Sequence, residues 1–112
     1  LRDTAKSYTR GIFIDACANV TIMNVIVENF GTDGYQGGIY VICSNTIVRE
    51  CTINNCYNAI TAGVLARVYS YNNSGSGNNF GLVAQEAGML AKRDTQPSGI
   101  TAEYTRWGGV IR

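Results

Sequence analysis

Carboxyl groups, thiols and tyrosines are the side chains of this 112-residue sequence that could do chemistry, and it contains no histidine. That absence excludes a Ser-His-Asp triad, a Cys-His nucleophile pair and a mixed Cys/His metal site. A pair of carboxyl groups remains, the arrangement that cleaves glycosidic bonds, with the two groups about 6.5–9.5 Å apart in inverting enzymes. Asp15, Glu28, Asp33 and Glu50 are the candidates. When the sequence is aligned on its own internal repeat, Glu28 falls opposite Asn54 and Glu50 opposite Asn24, so no two acids stack and each reads as a solvated surface charge.

The four cysteines, Cys17, Cys43, Cys51 and Cys56, lie 26, 8 and 5 residues apart, which matches no structural zinc pattern of paired short spacings. No metal site and no cofactor is expected. The cysteines read as small buried hydrophobes, since Cys51 and Cys56 stand where the repeat elsewhere has Val25 and Phe30. Cys17 and Cys43 fall at nearly equivalent repeat positions, so they would also stack closely enough for a disulfide. Asn19, Asn45, Asn55, Asn58 and Asn72 could contact sugar, or form side-chain ladders that satisfy the backbone at turns. Tyr40, Tyr57, Tyr69 and Tyr71 are expected at the surface, where aromatic rings stack on sugars. Tyr69 and Tyr71 alternate with Val68 and Ser70, and an inward Val68 turns both rings out into a strip that binds sugar, packs against a neighbouring subunit or simply sits at the surface, with subunit packing the preferred reading.

Such groups must be positioned by something, and the sequence supplies a repeat. Gly11-Ile12-Phe13-Ile14, Asn19-Val20-Thr21-Ile22 and Val25 to Phe30 are followed by Gly38-Ile39-Tyr40-Val41, Asn45-Thr46-Ile47-Val48 and Cys51 to Cys56. Gly11 to Gly38 is 27 residues and Val25 to Cys51 is 26, a period that marks a stacked architecture. Within each copy apolar residues alternate with polar ones, the signature of strands, and no window carries helical spacing. Strands in fixed register every 26 residues cannot be joined by tight hairpins, so the chain is expected to coil as an all-β, right-handed parallel β-helix of about three to four rungs. A third, degraded copy is expected from Ala59, with Leu65 to Asn73 matched to Val48 to Asn55, which shortens it to 17 residues between Cys51 and Val68. The expected organisation is one domain over 1–112: a lead-in at 1–10, rungs at 11–84, and a C-terminal capping or oligomerisation segment at 85–112, with Tyr104 and Trp107 as its buried anchors. The Gly31–Gly38 loop is the longest excursion and the place for a ligand-facing surface.

Composition narrows the partners. A net charge of +1 with 15% charged residues offers no basic stripe for nucleic acid. The longest apolar runs, such as Ile39 to Cys43, are far short of the roughly 20 residues that span a membrane, so no membrane insertion is expected. With neither a starting Met nor a signal-like leader, the chain reads as cut from something longer.

The Asn-x-x-Ile and Val-x-Ile-x-Asn-Asn-Cys rungs, over about residues 11 to 84, resemble those of the pectin-lyase-like β-helix superfamily, which includes pectate lyases, polygalacturonases and bacteriophage tailspikes. Gly31-Thr32-Asp33-Gly34 is similar to the Asn-Thr-Asp-Gly motif in which polygalacturonases carry a catalytic Asp, so Asp33 is the matching position. The paired aspartates, the Gly-His-Gly and the Arg-Ile-Lys of that family have no counterpart. Residues 88 to 111 resemble the ends of phage tail-fibre or appendage β-helices, which are trimers that bind or degrade surface polysaccharide. The resemblance implies a structural, glycan-binding or receptor-binding module on a virion tail or in an extracellular setting, assembling as a homotrimer. Its alternative is a fragment of a polysaccharide lyase or glycoside hydrolase with Asp33 as acid.

Overall fold

A computed structural model describes residues 1–3, 9–33 and 37–112. Twelve strands follow in order among these residues: β1 (Arg10–Asp15), β2 (Asn19–Met23), β3 (Ile26–Glu28), β4 (Gly37–Ile42), β5 (Asn45–Arg49), β6 (Thr52–Asn54), β7 (Asn58–Ala62), β8 (Arg67–Tyr71), β9 (Asn78–Gln85), β10 (Met89–Arg93), β11 (Gly99–Arg106) and β12 (Val110–Ile111). Among the described residues there is no helix. A first sheet runs β1-β4-β7-β9-β11, a second β2-β5-β8-β10-β12, and β3 with β6 forms a short third. Every pairing is parallel, as a coil with one strand per face per turn requires. The chain is an all-β parallel solenoid of about four turns.

The register matches the sequence repeat through two turns: Ile22 pairs Val48, Val27 pairs Ile53 and Glu28 pairs Asn54. The third turn differs. Val68 pairs Thr46, not Cys51, so successive turns are 22 residues apart here. The shortening lies outside the strands, where eight residues separate β3 from β4 but three separate β6 from β7. Sheet register fixes which side chains face inward, so length can change only in the turns. Of the Gly31–Gly38 loop, Gly37 and Gly38 belong to β4, and Gly34, Tyr35 and Gln36 lie outside the described residues, as do Thr4 to Tyr8 of the lead-in.

Inward columns of Ile39, Ile60 and Leu82, and of Ile14, Val41, Ala62 and Ala84, pack across the coil against Ile22, Val48, Val27 and Ile53. Cys51 and Cys56, each 1% exposed, fill this core as expected, whereas Cys17 and Cys43 are exposed. The turns repeat as faithfully as the strands. Asn24, Glu50, Asn72 and Asp94 occupy one turn position in successive coils with φ of 57°, 55°, 52° and 58°, the left-handed conformation that Asn and Asp tolerate best.

The C-terminal third does not fold over the stack. β10, β11 and β12 extend the same sheets in register, and Tyr104 and Trp107, expected as buried anchors, are 38% and 56% exposed. In this last stretch the inward columns change character: Glu103 follows Leu82, Thr105 follows Ala84 and Lys92 follows Ser70. Lys92 and Glu103 form an ion pair there.

Candidate functional site

Alternation along the second sheet sends one set of side chains into the core and the other to the outer face, and register aligns the outer set into columns. Asn19, Asn45, Arg67 and Met89 form one column, and Thr21, Ile47, Tyr69 and Ala91 the next. Together they bound a groove of about 410 Å³ across the face. Its floor is apolar and its edge carries two amides and a guanidinium, with no carboxylate in the lining. Tyr69 is 36% and Ile47 38% exposed, while Val68 and Ser70, the neighbours of Tyr69 along β8, are buried at 3% and 0%. Tyr69 and Tyr71 therefore face outward together, their ring centroids 5.1 Å apart at 42°, and the Arg93 guanidinium lies 5.3 Å from the Tyr71 centroid.

The other tyrosines expected beside them sit elsewhere. Tyr40 lies on the outer side of the first sheet in the column Phe13-Tyr40-Thr61-Val83-Tyr104. It is only 4% exposed, so it offers no ring face to a sugar. Arg10 covers it, 4.7 Å from its centroid and 4.6 Å from that of Phe13. Its hydroxyl accepts a hydrogen bond from Gln85 Nε2 at 2.8 Å, and Gln85 Oε1 accepts one from Arg106 Nε at 2.8 Å. Burial pushes the Tyr40 hydroxyl above its ordinary pKa. Tyr57 stands in a ladder of tilted rings with Phe80 and Tyr104, centroids 5.7 and 5.1 Å apart. Trp107 is covered on one face by Arg106, 4.0 Å from its centroid.

The candidate acids are dispersed. Asp33 is exposed in the stretch between β3 and β4, Asp15 ends β1, Glu50 lies in the turn after β5, and Glu28 lies on β3. Glu28 is ion-paired with Arg2 and accepts a hydrogen bond from Asn54 Nδ2 at 3.3 Å. These bonds to its charged form hold its pKa below the ordinary carboxylate value. Among the described residues no group of three or more Cys, Asp or Glu could hold a metal ion.

The asparagines divide by role. Asn19 and Asn45 edge the groove, Asn55 and Asn72 take left-handed turn positions with φ of 54° and 52°, and Asn58 is buried. Sequence reasoning passed over the two that bind the coils together. Asn73, fully buried, accepts the Cys51 N–H at 2.9 Å and donates to Val48 O at 2.9 Å and Ser70 Oγ at 2.8 Å. Asn78 likewise accepts the Cys56 N–H and donates to Ile53 O and Ser98 O. The doublets Asn72-Asn73 and Asn78-Asn79 were the available signal, but only the register says which member points inward.

Comparison with protein-family models, with curated proteins and with solved structures finds no match to this chain.

Proposed function

We propose that the chain is a glycan-binding solenoid module, of the kind carried by pectin-lyase-like tailspikes and appendages, that holds a surface polysaccharide along the outer face of its second sheet. The observation that carries this reading is the groove itself. It pairs an exposed aromatic face at Tyr69 with amides at Asn19 and Asn45 and a guanidinium at Arg67, an apolar floor with a few convergent polar groups. Rings take the C–H faces of sugars, while amide and guanidinium N–H groups donate to their hydroxyls and acid groups. Binding without turnover fits a lining that contains no carboxylate.

Titration calorimetry against neutral and acidic polysaccharides, pectin and alginate among them, tests the proposal. Tyr69→Ala is expected to weaken binding on the order of tenfold, since burying an aromatic face contributes roughly 1.5 kcal/mol or more. An affinity indifferent to Tyr69→Ala and Arg67→Ala would sink it. Reducing ends or unsaturated products that vanish in Asp33→Asn would replace it with a lyase or hydrolase. Assembly as a homotrimer belongs to the same reading, and its support is the exposed apolar set Ile100, Tyr104, Trp107 and Val110 at one end of the stack. Light scattering across a dilution series should give three times the chain mass; a persistent monomer removes the trimer.

A further inference from the structure

We propose that Cys17 and Cys43 form a redox-active dithiol that closes into a disulfide, clamping the first turn of the solenoid to the second. Unpaired cysteine is among the most consistently buried residue types. Cys51 and Cys56 obey that rule and Cys17 and Cys43 break it, both as free thiols and both exposed. The two that break it occupy the same turn, between the first and second sheets, in successive coils.

Asp15 pairs Ile42 at the end of the first sheet, which sets Ala16 beside Cys43 and Cys17 beside Ser44. The backbone bonds agree. The Ala16 N–H donates to Ile42 O at 3.4 Å, the Cys17 N–H donates to Ser44 Oγ at 2.8 Å, and the Ser44 hydroxyl donates back to Ile42 O at 2.8 Å. Cys17 is thus tied to the residue next to Cys43. An inter-strand spacing of about 4.8 Å combined with about 3.8 Å between consecutive Cα atoms places the two cysteine Cα atoms about 6 Å apart, inside the range a disulfide spans. Both side chains line one open hollow beside Leu65, so a small reagent reaches either. The Cys17 thiol rests on Asp15 O at 3.4 Å, a weak bond that a rotation about χ1 releases.

The oxidant is a low-molecular-weight disulfide. One cysteine thiolate attacks a sulfur of oxidised glutathione, forming a mixed disulfide and expelling one glutathione thiolate. The second cysteine thiolate then attacks the protein sulfur of that mixed disulfide and expels the other. Two protons leave the protein thiols, two electrons pass to glutathione, and one sulfur–sulfur bond is exchanged for another.

The test is incubation of the folded chain with oxidised glutathione, followed by intact mass, peptide mapping and maleimide titration. The expected product has lost two hydrogens, yields one cross-linked peptide pair containing Cys17 and Cys43, and carries no glutathione. Maleimide-reactive thiols fall from two to none, with Cys51 and Cys56 reacting only after denaturation, and the melting temperature rises by several degrees in a way dithiothreitol reverses. Cys17→Ser and Cys43→Ser, both at exposed positions, should instead each hold one persistent glutathione adduct on the remaining exposed cysteine. Separate stable adducts on both cysteines of the unsubstituted chain, or a cross-link between two chains, would overturn the proposal.

Discussion

Asn73→Ala should be among the most damaging single substitutions in this chain, although it removes no hydrophobic surface to speak of. The Asn73 side chain is fully buried, and its amide is the partner of the Cys51 N–H and of Val48 O in the preceding coil. Truncation leaves the Cys51 N–H inside the stack with nothing to bond and takes one donor from Val48 O, which stays in the β5–β8 ladder. A buried unsatisfied group costs about 1–3 kcal/mol, so the loss is expected at roughly 2–3 kcal/mol, a sizeable part of the about 5–15 kcal/mol by which domains are stable. Ser70 Oγ, the third partner, keeps its bond to Gln96 Oε1 and adds little. Ser98→Ala is the control. Its Oγ donates to Gly75 O at 3.1 Å in an exposed setting where water substitutes, so its loss should stay under about 1 kcal/mol. Equilibrium unfolding in guanidinium chloride, with the slope of the transition unchanged, measures both. An Asn73→Ala loss within 1 kcal/mol of the control would refute the view that buried amides join the coils.

Two further predictions concern groups whose partners are missing or charged. Thr46 is buried at 3% in the inward column between Val20 and Val68, and among the described residues its Oγ1 has no hydrogen-bond partner. Thr46→Val removes that stranded hydroxyl and should raise stability by about 1 kcal/mol, read as a melting temperature higher by about 3–6 °C; a decrease would show that the hydroxyl is satisfied. Glu28 binds its proton less tightly in the folded chain than in the unfolded one, because Arg2 and Asn54 bond its charged form. The stability it contributes is therefore present above the unfolded carboxylate value and is lost as pH falls through the lower folded one. Melting curves from neutral pH to about pH 3 should fall less steeply for Glu28→Gln than for the unsubstituted chain, and parallel curves would remove the linkage.

How far the fold could be read from the sequence follows from what sets a strand's register. From β2 through β3 and from β5 through β6 the first two coils match residue for residue and are alike in side-chain type, so Ile22 over Val48 and Val27 over Ile53 were legible from letters alone. The third coil was misaligned because Ser70, a polar residue in a core column, sits over Val48, and because the shortening falls in a turn where no side chain is constrained to match. Parity correctly turned Tyr69 and Tyr71 outward. Parity also turns Tyr40 outward, yet Tyr40 is buried, since Arg10 lies over its ring and Gln85 holds its hydroxyl. Alternation gives the face of a sheet on which a residue stands, and what covers that face comes from long side chains on other strands that no local pattern encodes.

The distribution of charge bears on the proposal that this surface binds a polymer. A parallel solenoid repeats its chemistry every strand spacing of about 4.8 Å, so Asn19, Asn45 and Arg67 present donors at regular intervals to any polymer laid along the stack. Catalysis by a carboxyl pair needs that regularity broken, with two acids brought together in a cleft and one of them kept protonated. Four of the eight acids here are placed in the opposite way. Glu28 is answered by Arg2, Glu50 by Arg49, Asp94 by Arg93 and Glu103 by Lys92, each pair at a turn, a sheet edge or the end of the stack. Exposed pairs of this kind add little stability, and each sets its carboxylate beside a cation rather than beside a second acid. Among the described residues Arg67, at the edge of the groove, is engaged by none of these carboxylates, and on the proposed reading it is the cation that meets the polymer.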